Sequence, residues 1–258
     1  MDGISPLWGI CPFNKISSNL IECRAKSRLP ENAKSVIVAC FPYLLDKSEY
    51  KNLNISKYAV VTDYHKVALS RLEKAVQLLK EMFPENEFSA FADNSPIPEV
   101  RAACLAGLGV RGMNSLLITE KYGSFVFIGE IVTDIELDFE ETSEKTCIKC
   151  GRCIKACPSS AIKETGFERN ICLSEITQKK GKLSEEEISL MTDCGCIWGC
   201  DICQDICPMN QNAAATEIEE FLSSPVSHVS EGCSLEERAY EWRGRKVIER
   251  NITIQKER

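Results

Sequence analysis

The chain has 258 residues, 44% of them hydrophobic, and a formal net charge of −7. This apolar content supports a buried core and excludes a disordered chain. No apolar run approaches the ~20 residues that a membrane-spanning helix needs, and Met1–Pro6 lacks the pattern of a secretory signal. The acidic balance disfavours nonspecific binding to nucleic-acid phosphates. Fifteen cysteines without an export signal predict metal ligation in a reducing cytoplasm.

The expected fold class is α+β. The N-terminal part of the chain predicts an α/β-like domain with a mixed sheet. Ser35–Cys40 is a continuous apolar run rich in β-branched residues, which is typical of a buried strand in a parallel or mixed sheet. Apolar residues spaced at helical intervals predict an amphipathic helix over 63–82, capped by Asp63. Phe88–Ala92, Ser115–Thr119 and Phe125–Thr133 predict further strands.

Asp93 lies between the strand that ends at Ala92 and a helix that Ser95 and Pro96 are predicted to begin. Because ligands of open α/β sheets bind at the carboxyl ends of strands, Asp93 is a candidate site residue. On the residues alone, a helix cap or an Asx turn is its more common role. His65 is one of two histidines, and its position at a helix start is more typical of capping or packing than of ligation.

The helix after Asp93 is predicted to end near Gly107 and Gly109. These glycines would allow the backbone to approach a flat cofactor closely. The segment 107–112 follows a helix instead of opening one and lacks a full dinucleotide fingerprint, so no nicotinamide site is predicted.

The cysteines concentrate in two runs that complete each other. The first is Cys147-Ile-Lys-Cys150-Gly-Arg-Cys153-Ile-Lys-Ala-Cys157-Pro158, and the second is Cys200-Asp-Ile-Cys203-Gln-Asp-Ile-Cys207-Pro208. In two-cluster ferredoxins the fourth cysteine of a run with the first spacing ligates the other cluster. We therefore predict two 4Fe–4S clusters, the first held by Cys147, Cys150, Cys153 and Cys207. The second takes Cys157, Cys200 and Cys203, and spacing leaves its fourth ligand open among Cys172, Cys194 and Cys196.

Zinc and disulfides are the alternatives for these cysteines. Paired C-x2-C motifs also build zinc sites, but those use well-separated pairs instead of four cysteines in eleven residues before a proline. A disulfide scaffold needs an oxidising compartment and is usually a short chain. The spacing favours iron–sulfur clusters.

The expected organisation is a cofactor and substrate domain over 1–140, a ferredoxin-like double-cluster domain over 141–215 and a helical tail over 216–258. Ser184–Met191 predicts a short capped helix, and the last helix is expected near 234–242. The basic stretch 243–250 is more typical of a solvated face than of a binding patch.

Several motifs together resemble the epoxyqueuosine reductase family. They are Asp93-Asn-Ser-Pro, Ala106-Gly-Leu-Gly109, Gly123-Ser-Phe-Val-Phe-Ile-Gly-Glu130, and the second cysteine run continued through Pro-Met-Asn210. Ser35-Val-Ile-Val, Asp63-Tyr-His65 and Trp242-Arg-Gly-Arg with Arg250-Asn251 extend the resemblance over nearly the whole chain.

The resemblance implies cobalamin and two 4Fe–4S clusters in an enzyme that removes the epoxide oxygen from epoxyqueuosine in tRNA, related to reductive dehalogenases. It implies that Asp93 is the proton donor near cobalt, and it makes Gly107, Gly109 and Ser124 candidate cofactor contacts. It also implies that Cys172 is the fourth ligand of the second cluster, which leaves Cys194 and Cys196 spare. An electron donor such as a ferredoxin or a flavodoxin is expected.

Some features depart from the family pattern. Val110 replaces the family's tryptophan, the stretch 111–114 differs from its usual residues, and the chain ends at Arg258, about where a helical-repeat segment that helps bind tRNA would begin. The resemblance therefore supports the cofactors more strongly than the tRNA substrate. The competing hypothesis is an electron-transfer protein or a reductive activator of a separate corrinoid protein.

Overall fold

The computed structural model describes residues 1 and 3–256, which form two compact units. The first unit comprises 1–42, 64–112 and 116–147, and the second comprises 43–63, 113–115 and the chain from 148 onward. This division differs from the domain limits expected near 140 and 215. Segment 43–63 belongs to the second unit, where the Ser56 amide donates to the Trp198 carbonyl over 2.7 Å. The C-terminal tail belongs there too, since the Val226 amide donates to the Val60 carbonyl over 2.8 Å.

The first unit is built on a four-stranded antiparallel sheet. Its elements in chain order are β1 (Leu7–Pro12), β2 (Ser35–Pro42), α1 (Tyr64–Met82), β3 (Phe88–Ala92), α2 (Glu99–Leu105), β4 (Val110–Arg111), β5 (Leu117–Ile118) and β6 (Val126–Thr133). The strand order is β1-β2-β6-β3, and each neighbouring pair is antiparallel. β4 and β5 form a separate short antiparallel pair.

The expected α+β class is confirmed, but the expected mixed sheet is wrong. Every residue of β2 is buried because helices cover both faces of the sheet. Alternate residues such as Val36 and Val38 share an apolar cluster with Ala102 and Ala103 of α2. On the other face, α1 packs against β3 and β6. A continuous apolar strand therefore reflects burial on two faces here, which antiparallel pairing also permits.

The chain around Asp93 shows why α2 begins later than expected. Asp93 and Asn94 have φ values of 55° and 39°, in the left-handed region that few non-glycine residues adopt. Proline at positions 96 and 98 disfavours helical backbone in the residue before each. The expectation that Ser95 caps the helix is wrong, because its hydroxyl accepts from the Ile97 amide at 3.1 Å and the helix starts at Glu99.

The second unit consists mainly of short helices. Its elements are α3 (Arg152–Ala156), β7 (Ile162–Lys163), β8 (Gly166–Phe167), α4 (Leu173–Gln178), α5 (Glu185–Cys194), α6 (Ile202–Asp205), α7 (Glu219–Leu222) and α8 (Arg245–Lys256). α3 carries Cys153, α6 carries Cys203, and these two helices pack against each other. Among the residues placed by the structure, no helix has the length and apolar character to cross a membrane.

Two predictions for this unit had opposite outcomes. The helix expected from Ser184 is confirmed, with a capping box in which the Glu187 amide donates to Ser184 Oγ and the Ser184 amide to Glu187 Oε2. The last helix expected near 234–242 is wrong, since the last helix is α8, after Gly244 at φ 82°. Its buried residues recur at helical spacing, so the basic run lies on a half-buried amphipathic helix.

Asn251 fastens α8 to two segments that precede the second cysteine run in sequence. Its side chain is fully buried, and Nδ2 donates to the carbonyls of Thr177 and Ile197, each at 2.7 Å. Both carbonyls lose access to water in this position, so the amide is their hydrogen-bond partner.

Replacing Asn251 with Leu leaves these two buried carbonyls unpaired, and we expect the free energy of unfolding to fall by about 2–4 kcal/mol. Urea denaturation of the anaerobically purified protein measures this loss. Thr253→Ala on the exposed face of α8 is the control, with an expected change within about 0.5 kcal/mol. Equal stability of the Asn251→Leu and Thr253→Ala variants would contradict the assigned role.

Candidate functional site

The thiols assigned to the second cluster all lie in the second unit and influence one another's pKa values. Burial is the main cause that raises the pKa of Cys203 to about 12, and the thiols of Cys172 and Cys157 act on it in the same direction. Burial likewise raises the pKa of Cys172, with a further contribution from Cys157. Burial also raises the pKa of Cys200, and Cys203 contributes to that shift. These four thiols are thus within electrostatic range of one another, and four is the number that one 4Fe–4S cluster takes.

The three candidates for the fourth ligand have different environments. Cys172 stands directly before α4, and its thiol contributes to the raised pKa of Cys203. Amides at a helix N-terminus stabilise a thiolate, which is the ligating form. Cys196 instead donates from its thiol to the carbonyls of Trp198 and Gly199, at 3.3 and 3.0 Å. This geometry favours Cys172 as the ligand and Cys196 as a neutral thiol.

Cys194 is the third candidate, at the last position of α5. Burial raises the pKa of its thiol, followed by the charges of Asp193 and Cys157. Together with Cys196 and Cys200 it lines a cavity of about 150 Å³ in the second unit. Cys194 thus lies near the thiols assigned to the second cluster.

Asp201 holds the second cysteine run in place. Its buried carboxylate accepts from the Ser56 hydroxyl and from the Lys57 amide, and Lys57 Nζ lies 3.6 Å away. Burial raises the pKa of Asp201, and Lys57 opposes that shift most strongly. Asn114 adds a contact within this unit, since its Nδ2 donates to the sulfur of Cys203 at 3.7 Å. Sequence analysis missed both residues, although Asp201 adjoins a cysteine of the motif.

Two of the thiols assigned to the first cluster, Cys147 and Cys150, lie on a tightly turning loop before α3. Lys149 and Gly151 have φ values of 52° and 74°, which curve the chain between Cys147 and Cys153. Cys207 precedes a turn of 3-10 helix at Pro208–Asn210. All fifteen cysteines are free thiols in the part of the chain that the structure describes. Within residues 1 and 3–256, no group of three or more His, Cys, Asp or Glu side chains forms a site for a single metal ion.

Asp93 lies in the turn after β3 and pairs with His65. The distance between His65 Nε2 and Asp93 Oδ2 is 3.1 Å, and the Asp93 side chain is 55% exposed. The His65 ring stacks on Tyr64, which stacks on Phe127 of β6, with ring centroids 4.0 Å apart in each pair. His65 thus contacts the predicted acid, a role that its position at the helix start did not reveal.

Two further carboxyl groups, missed in the sequence, lie behind Asp93. Glu130 of β6 is fully buried, and burial raises its pKa well above the usual range, with Glu99 as the next cause. Glu99 begins α2, and burial raises its pKa to about 8, with a further contribution from Asp93. A charged residue inside the apolar run 126–133 was the signal available in the sequence.

Contacts within the protein explain why glycine stands at two of the predicted cofactor positions. A Cβ at Gly109 would lie 2.5 Å from the Ile118 carbonyl oxygen, so glycine permits the close approach to β5. Gly107, with φ of 77°, ends the turn after α2 and donates to the Cys104 carbonyl over 3.1 Å. Ser124 is buried just before β6. Contact of these three residues with a cofactor stays a prediction.

Comparison with known proteins agrees with this geometry. Residues 24–94 match the family described as "Epoxyqueuosine reductase QueG, DUF1730", and residues 146–210 match a 4Fe-4S double cluster binding domain. An epoxyqueuosine reductase of Lactococcus garvieae is 30% identical over 241 residues, which cover 86% of this chain and 68% of the relative. The chain belongs to the epoxyqueuosine reductase family. It therefore carries a domain for two 4Fe–4S clusters.

Solved structures of epoxyqueuosine reductases have the same fold. The enzyme from Streptococcus thermophilus superimposes with a TM-score of 0.79 at 25% identity, over 98% of this chain and 78% of that one. Another, solved with an epoxyqueuosine-modified tRNA-Tyr stem loop, also has a TM-score of 0.79, at 22% identity. Against several curated reductases of the family, the chain spans from 52% to 64% of their length.

Cysteine variants test the ligand set of the second cluster. We expect Cys172→Ala to lose about half of roughly eight irons per chain, because one 4Fe–4S cluster lacks a ligand. Cys194→Ala and Cys196→Ala are matched controls from the same region and keep full iron content. The measurement is iron per chain after anaerobic reconstitution. Full iron in Cys172→Ala, with a loss in either control, would reverse the assignment.

Proposed function

We propose that this chain is a cobalamin-dependent iron–sulfur reductase that converts epoxyqueuosine in tRNA to queuosine. The observation that supports this proposal most is the pairing of Asp93 with His65 at the end of β3, in a chain of this family that also has a 4Fe-4S double cluster binding domain and two predicted sets of four cysteine ligands. Each set of thiols has the chemistry that a 4Fe–4S cluster requires. The exposed Asp93 carboxyl is accessible to a cofactor and substrate.

The reaction dictates what the protein must supply. Reduction of an epoxide to an alkene takes two electrons and two protons and releases the oxygen as water. Cobalamin, when bound, supplies the reducing centre, and the clusters supply electrons one at a time. The protein's own residues therefore have to orient the substrate and deliver protons.

Asp93 is the proposed proton donor to the epoxide oxygen. The left-handed backbone at Asp93 and Asn94 turns the acid out of the strand, a strained geometry that clusters at functional sites. The ring of His65, held by stacking on Tyr64, fixes the orientation of the carboxyl. General acid catalysis of this kind contributes about 10²–10⁴-fold.

The proposed partners follow from the same assignment. The tRNA stem loop bound in the related structure supports tRNA as the substrate class. With a net charge of −7, the chain would bind tRNA through local contacts and not through a general attraction to phosphate. A cytoplasmic location and a small electron donor such as a ferredoxin or flavodoxin fit a tRNA-modifying iron–sulfur enzyme.

Replacing Asp93 with Asn tests the proposal. We expect both clusters and cobalamin to remain bound while turnover on tRNA containing epoxyqueuosine falls at least about 100-fold, because the amide cannot donate a carboxyl proton. Mass spectrometry of the tRNA nucleosides measures the product. Asp138→Asn, an exposed acid of the same unit, is the control and keeps wild-type turnover. Unchanged turnover in Asp93→Asn would remove Asp93 from the mechanism.

A further inference from the structure

We propose that Glu130 and Glu99 form a proton-relay pair that reprotonates Asp93 during turnover. This inference rests on the proposed function, because it deepens the proton delivery at the same site. Three carboxyl groups around one turn are more than a single proton donor requires.

The burial of Glu130 is the first observation. Its side chain is fully buried, and by distance and angle neither carboxyl oxygen makes a hydrogen bond. It faces the same side of the sheet as Ile128 and Val132, which pack into the apolar cluster below α2. An ionised carboxylate is very costly in such surroundings, so the group holds a proton. Buried polar groups without partners are rare and call for an explanation.

The fold places the three acids along one path. β3 pairs with β6 so that Phe91 lies opposite Glu130, and Asp93 follows two residues later. Glu99 begins α2, which packs on β6. Glu99 and Asp93 each interact electrostatically with Glu130. Half-buried Glu99 connects the buried acid with the surface.

The other ionisable groups on neighbouring elements do not place a positive charge beside Glu130. Cys40 of β2 and Cys104 of α2 are buried thiols whose pKa values are raised by burial, so they stay neutral. Arg28 donates to the Ala90 carbonyl at 2.6 Å, and Arg101 lies 3.7 Å from Glu144. At the opposite end, His65 contacts Asp93. The two arginines thus contact other groups. The charge of Glu130 is therefore neutralised by a proton and not by an arginine.

The relay completes the proton balance of the reaction. Breaking both C–O bonds of the epoxide consumes two electrons from the clusters and two protons, and it releases one water. Asp93 gives the first proton and becomes a carboxylate. It regains a proton from the Glu99 and Glu130 pair and gives the second, and the pair is refilled from solvent through Glu99.

Infrared spectroscopy tests the proton store without any activity. We expect wild-type protein at neutral pH to show the carbonyl band of protonated carboxylic acids, which weakens in Glu130→Gln and is unchanged in the exposed control Glu136→Gln. Glu99→Gln should shift the pH at which this band titrates. This variant tests the proposal if Glu130→Gln does not fold. Absence of the band in wild-type protein would overturn the relay. Because this readout needs no substrate, it is independent of whether epoxyqueuosine is reduced.

Kinetics test the relay itself. In both glutamine variants the first proton transfer from Asp93 should survive, while multiple turnover falls about tenfold or more. The alkaline limb of the pH–rate profile should move to lower pH, because the store that keeps protons at high pH is gone. A structural role alone would leave the shape of this profile unchanged. Wild-type turnover and an unmoved profile in both variants would overturn the relay.

Discussion

The antiparallel pairing of β3 with β6 determines where the acids of the candidate site lie. This register sets Phe91 opposite Glu130 and carries the chain beyond the sheet edge at Asp93. Side chains alternate along a strand, so Glu130 faces α2 while its neighbours on either side face α1. A shift of one residue would move Glu130 to the other face and separate it from Glu99. The chemistry proposed for this unit therefore depends on backbone hydrogen bonds in the middle of the sheet.

The second unit meets a different requirement, because short helices must hold many thiols at fixed positions. Buried polar side chains supply much of that rigidity. Asp201 ties the second cysteine run to Ser56 and Lys57, and Asn251 ties α8 to the segments beside it. Cys172 stands at the start of α4, whereas the Cys196 thiol donates its hydrogen to the carbonyls of Trp198 and Gly199.

Much of this arrangement could be predicted from sequence, because local patterns have local causes. The helix over 64–82, the strands at 88–92 and 126–133 and the capping box at Ser184 follow from periodicity and capping chemistry. The direction of strand pairing could not be predicted, since a strand buried on both faces has the same composition in parallel and antiparallel sheets. The contact of His65 with Asp93 and the partners of Asn251 join residues far apart in sequence, which spacing cannot reveal. Glu130 was visible in the sequence as a charged residue in an apolar strand. Its burial and its neighbouring carboxyl groups, which suggest its role, appear only in the structure.

The central claim is that the two sets of cysteines serve a corrinoid bound to this same chain. The most direct measurement is the iron and cobalt content, with the visible spectrum, after anaerobic purification and incubation with cobalamin. The account predicts about eight irons and about one cobalt per chain, with absorption from both clusters and corrinoid. Eight irons without bound cobalt would contradict it and would favour an electron-transfer protein or a reductive activator of a separate corrinoid protein.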